Sequence, residues 1–165
     1  MDKKEDWQMK IGIIVYSQTN HTYSVAQKLR DNLSANGHTV NIERVVPSGK
    51  VKPGSKNIKF KKQPDTSAYD GLVFGSPVHG FALAPVMKAY LSQIPSLKDK
   101  KIACFVTKGL PFDITGGNKA ISQIKDLCQS KGGAVIGTGI VVWSVRREKR
   151  IAELLERFGA LFSSN

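Results

Sequence analysis

Hydrophobic positions along this chain fall into short continuous runs that alternate with stripes at three-to-four spacing, the pattern of buried strands connected by amphipathic helices. Residues 11–16 (IGIIVY) form the first such run. Val25, Ala26, Leu29 and Leu33 then mark one face of a helix, and Gly37 stands where a left-handed C-cap ends it. Residues 38–45 alternate as a second strand, and residues 71–75 (GLVFG) make a third, continuous one. Pro85 opens the next helix at its first turn, with Val86, Met87, Tyr90, Leu91 and Ile94 on one face. Residues 101–107 predict a fourth strand. Ala120, Ile121, Ile124, Leu127 and Cys128 stripe a helix that Gly132 and Gly133 end, and residues 134–142 form the last strand. Ile151, Leu154, Leu155, Phe158, Leu161 and Phe162 stripe a closing helix.

Five strands and four helices in this alternation predict an α/β fold, one open parallel sheet with helices on both faces. One element is missing. A doubly wound sheet expects a crossover helix between the second and third strands, yet residues 46–68 carry no helical stripe and contain Pro47, Gly49, Pro53, Gly54 and Pro64. A long loop is expected there, with an extended piece near Ile58 and Phe60. A connection of that length in a compact domain either carries function or covers a surface shared with a partner, a second copy of the chain included.

The length of 165 residues suits one domain, read as residues 10–165 behind a loosely held tail at 1–9. The polar start has no signal-peptide core and no stretch reaches a membrane span, so a cytoplasmic protein is expected. Cys104 and Cys128 form no CxxC pair and sit in apolar patterns, as small hydrophobes do; no metal is expected.

Charge changes the picture more than composition does. The formal net charge is +12. Residues 47–65 hold Lys50, Lys52, Lys56, Lys59, Lys61 and Lys62 against Asp65 alone, and Arg146, Arg147, Lys149 and Arg150 stand against Glu148. Such segments are either solvated faces or an attraction for anionic partners. A polyanion-binding module is the remote alternative, and the lack of aromatic interleaving or any nucleic-acid motif argues against nucleic acid.

Ligands of open parallel sheets bind outside the carboxyl ends of the strands. Three loops lie there: 17–22, 76–81 and 107–113. The first reads Ser17, Gln18, Thr19, Asn20, His21, Thr22 between a strand and a helix. Helix N–H groups beside three hydroxyls favour a phosphate, although Thr22 also reads as a plain N-cap. Neither a Walker sequence nor GxGxxG is present, which excludes the usual ATP and dinucleotide loops. Tyr16 and Ser17 offer no acceptor Asp at the end of the first strand, so a phosphate-receiver domain is excluded too.

The run YSQTNHTYSVAQKL resembles the phosphate loop of the flavodoxin family, with Asn20 where that pattern usually has Gly. YDGLVFGSPVHGF, followed by the Pro85 helix, is similar to the segment that lines one side of the flavin ring, and IACFVTKGLP to the one that closes the other. The resemblance implies a flavodoxin-like three-layer sandwich, strand order 2-1-3-4-5, and bound FMN. It implies that Ser17, Thr19 and Thr22 hold the phosphate by their hydroxyls, with the backbone of Gln18, Asn20 and His21. Ser76, Pro77, Val78, His79, Gly80 and Phe81 would then flank the ring, and Thr107, Lys108, Gly109 and Leu110 would meet its pyrimidine edge.

Within that scheme Gly80 is either a reorienting peptide or a turn glycine, and Phe81 either covers the ring or packs under the next helix. His79, the one catalytic candidate, either stacks on the ring, assists proton transfer or does neither. Trp143 reads as packing at the sheet edge. Lys108 near an anionic reduced ring would contribute about 2 to 3 kcal/mol at roughly 6 Å and an effective dielectric of about 20. The resemblance therefore implies an FMN-binding redox protein that transfers electrons to a partner protein. The alternative is an NAD(P)H-dependent FMN oxidoreductase acting on a quinone or similar small molecule.

Overall fold

The computed structural model describes residues 8–52, 54–111 and 116–163. Five parallel strands form the sheet: β1 (Lys10–Val15), β2 (Thr39–Arg44), β5 (Gly71–His79), β7 (Lys101–Lys108) and β8 (Ala134–Val142). They lie in the order β2-β1-β5-β7-β8, which is 2-1-3-4-5 when these five are counted along the chain. Register is fixed by pairs such as Ile13 with Ile42 and Val73, and Phe74 with Cys104.

Alternation along the strands splits the interior in two, because successive side chains leave opposite faces. Ile14, Tyr16, Leu72, Phe74, Ile102, Cys104 and Val106 face α2 (Pro85–Gln93) and α3 (Gly117–Ser130). Ile11, Ile13, Val15, Val73, Ala103 and Phe105 face α1 (His21–Ala35) and α4 (Arg147–Ser163). Each fully buried Leu, Ile or Phe contributes about 1.5–3 kcal/mol, so these two layers outweigh the weak intrinsic preference of any single helix. Both cysteines are buried and unpaired, and burial pushes each thiol up to about 12. They are neutral hydrophobes, as expected.

No helix spans the connection from β2 to β5. In its place β3 (Val46–Pro47) pairs antiparallel with β4 (Phe60–Lys62), so the expected extended piece includes Phe60 but not Ile58. Phe60 stacks edge-on against Tyr90, ring centroids 6.2 Å apart, and Tyr90 Oη donates to the Pro64 carbonyl at 2.6 Å. These contacts tie the lysine loop to α2. β6 (Ala82–Leu83) turns back on β5 as a short hairpin.

Residues 1–7 of the expected loose tail lie outside the described residues, as do Pro53, residues 112–115, which include the end of the third rim loop, and residues 164–165. Met9 is held in place: its N–H donates to His38 Nδ1 at 3.1 Å, and its carbonyl accepts from Thr39 N–H at 3.0 Å.

His38 is 5% exposed, and burial, assisted by Lys101, lowers its pKa below the ordinary histidine value. The folded pKa lies under the unfolded one of about 6.5, so the neutral ring's stabilisation is complete above that value. It is lost as pH falls from there through the lower folded pKa, because Nδ1 must remain an acceptor for Met9. His79, also lowered by burial, adds in the same direction. The Tm is expected to fall between pH 7 and pH 5, and a His38→Gln variant to show a flatter profile; identical profiles would contradict this assignment.

Candidate functional site

The carboxyl ends of β1, β5 and β7 bring all three expected loops to one rim. Asn20 closes the first loop in the left-handed region, φ 65°, as the N-cap of α1, and it makes no side-chain cap bond. Asparagine tolerates that conformation better than most residues, which explains how it stands where a glycine would serve. Thr22 is not the cap. It sits in the first turn, 1% exposed, with Oγ1 2.8 Å from Thr107 Oγ1. Ser17 Oγ accepts from Tyr23 N–H at 3.3 Å, while Gln18 and Thr19 are exposed. The first turn of α1 contains no acidic residue. A helix start whose N-cap side chain makes no bond, with neutral hydroxyls beside it, suits an anion.

Cations gather round this turn. Arg44 Nη2 donates to Asn20 Oδ1 at 3.3 Å, and its guanidinium lies 3.9 Å from the Tyr23 ring centroid. His21 stacks on Trp143, centroids 3.9 Å apart and planes 11° apart, and Arg147 covers the same indole at 4.6 Å. Trp143 therefore packs as a boundary residue, but the surface it packs on is the loop itself. Its place just past the end of β8, with β5 and β7 between that strand and β1, hid that from a reading by sequence neighbours.

The other two loops face each other across a cleft of about 180 Å³ lined by Val78, Gly80 and Phe81 on one side and Lys108, Gly109 and Leu110 on the other. Phe81 is 63% exposed and Leu110 56%. Phe81 does not pack under α2. A Cβ added at Gly80 or Gly109 would meet nothing within 4 Å, so space flanks both backbones; Gly80 has φ 56°. The Gly109 carbonyl accepts from Ser144 Oγ at 2.5 Å, which ties this rim to the Trp143 segment. The Lys108 stem runs beside Gly117 at the start of α3, its Cδ 3.4 Å from where a Cβ there would lie.

Ser76 and Pro77 lie elsewhere. Ser76 is fully buried inside β5 and donates to the Pro77 carbonyl at 3.0 Å, while Pro77 pairs with Thr107 in the sheet. Neither lines the cleft. His79 stands half-buried and edge-on to Tyr16 at 6.1 Å, its pKa lowered by burial, so near pH 7 the ring is neutral.

No family model matches this chain, and no curated protein matches it. Solved structures do. Flavodoxin 2 from Bacillus cereus superposes with a TM-score of 0.70 at 21% identity, over 93% of this chain and 97% of its own. A WrbA-like flavodoxin from Agrobacterium tumefaciens gives 0.68 at 12% identity, over 94% and 98%. A flavoprotein from Lactobacillus acidophilus, solved in complex with FMN, gives 0.64 at 20% identity, over 88% and 97%.

The fold is flavodoxin-like.

Within this flavodoxin-like frame the pair Thr22–Thr107 joins the first rim loop to the third over 85 residues of sequence. Thr22→Val and Thr107→Val each leave a buried hydroxyl without its partner and are expected to cost about 1–3 kcal/mol. The double variant is expected to cost less than the sum, because neither orphan remains. Urea denaturation of the four proteins checks this, and simple additivity would mean that the hydroxyls do not pair.

Among the described residues no group of His, Cys, Asp and Glu suits a metal ion, and no helix is long and apolar enough to cross a membrane.

Proposed function

We propose that this chain is an FMN-binding redox protein that passes electrons through the flavin to a partner protein. The observation that carries the reading is the coincidence, on one rim, of an acid-free helix start rich in neutral hydroxyls and an open cleft between two glycine-bearing segments. The residues present suit the group: neutral hydroxyls and amides for a phosphate, and unobstructed backbone on both sides for a planar ring. FMN when bound accepts two electrons and releases them singly or as a pair.

The chain's own groups then divide the work. N–H groups of residues 18–22 and the hydroxyls of Ser17 and Thr19 receive the phosphate. The hydroxyl pair Thr22–Thr107 holds the turn in shape, and a bond donated by Thr107 would leave the Thr22 proton for the anion. Arg44 and Arg147 raise the local potential without entering the turn. Val78, His79, Gly80 and Phe81 flank one side of the ring, and the backbone of Thr107, Lys108, Gly109 and Leu110 meets its polar edge. His79 is neutral and half-buried, which fits ring packing or a proton relay better than a fixed charge.

All six lysines of the 46–68 loop are exposed, and residues 51, 54, 55, 57 and 58 of that loop lie close to His79 and Gly80. A basic surface beside the rim selects an acidic redox partner. The same surface suits an anionic nicotinamide nucleotide, which is the ground for the second reading, an NAD(P)H-dependent FMN oxidoreductase.

Purified protein is expected to be yellow, or to become so with one equivalent of FMN, with quenching of flavin fluorescence. Failure to bind FMN under these conditions refutes both readings. If FMN binds, NAD(P)H oxidation with a quinone acceptor separates them: turnover establishes the enzyme, whereas no turnover alongside stepwise one-electron reduction establishes the carrier.

A further inference from the structure

A cavity of about 910 Å³ among the described residues is not the cleft between the ring-flanking loops. It lies on the other side of the 78–80 segment, between the lysine loop and α2, and the two share only Val78 and Gly80. Its origin is topological. The connection from β2 to β5 carries no helix, so the face that such a helix would cover is spanned by a thin antiparallel pair and a loop. Val51 and Ile58 of that loop oppose Val86 and Ala89 of α2, giving two apolar walls, and the edge-on pair Tyr16 and His79 lines one end.

Charge is one-sided here. Lys88 lines the cavity, Lys52 and Lys56 are exposed beside the lining residues Val51 and Ser55, and no carboxylate lines it among the described residues. His79 is held neutral by burial, so lysines supply the charge. The amides of Gln18, Asn57 and Gln123 and the hydroxyls of Ser55 and Ser92 supply its neutral polar groups. Apolar walls with few polar groups and one sign of charge are the anatomy of a small-molecule site. We propose that this cavity is a second ligand site, distinct from the cleft between residues 78–81 and 108–110 although Gln18, Val78, His79 and Gly80 border both the cavity and the proposed flavin site, for an aromatic molecule bearing an anionic substituent.

The site does not depend on bound flavin. Its nearness to the ring-flanking segment makes it a place where a co-substrate or effector would touch the same backbone.

Anthraquinone-2-sulfonate is the probe, with 2-(hydroxymethyl)anthraquinone as its neutral counterpart, titrated calorimetrically with and without FMN. The wild-type protein is expected to bind the sulfonate about tenfold more tightly than the neutral compound, about the value of one well-placed charge. Lys88→Glu, on an exposed side chain, removes that preference and leaves neutral binding within twofold. Ala89→Phe fills the cavity from a half-buried position and abolishes binding of both, with the circular dichroism spectrum and FMN affinity unchanged. No binding by wild-type protein up to 1 mM overturns the proposal, as does insensitivity to both variants. Displacement of the probe by one equivalent of FMN, or loss of FMN binding in Ala89→Phe, also overturns it, by showing that the cavity belongs to the flavin. A protein that binds the probe but not FMN supports the cavity and refutes the flavin reading.

Discussion

Thr19→Glu is expected to weaken FMN binding by about 1,000-fold or more while leaving the melting temperature within a degree or two. Thr19 is exposed in the first rim loop, the proposed seat of the phosphate, so the substitution disturbs no packing. It places a carboxylate against a phosphate that carries about 1.5 to 2 negative charges near neutral pH. At roughly 5 Å and an effective dielectric of about 20, each pair of unit charges repels by about 3 kcal/mol, and a hydroxyl donor is lost as well. Together these exceed the roughly 4 kcal/mol that a 1,000-fold change requires. Added salt restores little, since the charges would lie within one Debye length in a partly enclosed turn. Flavin fluorescence titration reads the effect directly. An unchanged dissociation constant would place the phosphate away from this turn and remove the basis of the proposed function.

That prediction rests on residues that local sequence makes visible. A buried strand, a polar turn and an amphipathic helix follow one another between Lys10 and Ala35, and strand and helix periods differ enough to mark the turn between them. Periodicity marks the five parallel strands but not which of them are neighbours; their order is legible only through the resemblance to the flavodoxin family. What escaped is contact between segments distant in sequence. Trp143 reaches His21 only because α1 and α4 share one face of the sheet, and no periodicity in either segment records that. Ser76 shows a second kind of limit. Its place in a rim motif suggests an outward side chain, but β5 runs on to His79 and leaves Ser76 inside the sheet. The large cavity is a third. Its floor comes from α2 and its roof from the lysine loop, so the sequence announced only that a helix was missing.

Gly116→Ala is expected to be the most damaging single-methyl change near the rim. Gly116 has φ 94°, and a Cβ there would lie 2.2 Å from both the carbonyl carbon and the carbonyl oxygen of Phe81. Real Cβ atoms do not approach backbone so closely, and a carbonyl cannot swing aside as a long side chain does. Either the hairpin tip carrying Gly80 and Phe81 moves away or α3 loses its first turn, which begins with Ala120 N–H donating to the Gly116 carbonyl at 2.9 Å. A forbidden backbone angle costs about 1–3 kcal/mol and the displaced contacts add to it, so a loss of about 3 kcal/mol of stability follows. The two alternatives have different signatures. Movement of the hairpin widens the cleft between Val78, Gly80 and Phe81 on one side and Lys108, Gly109 and Leu110 on the other, and weakens flavin binding at least tenfold with α3 intact. Fraying of α3 lowers helical signal and leaves the cleft unchanged. Phe81, itself at φ 64° and exposed, already occupies a conformation uncommon for a bulky residue, so the hairpin is the element that yields. Denaturation and FMN titration of the same preparation decide between them, and a variant with wild-type stability and affinity would show that the hairpin does not rest on Gly116.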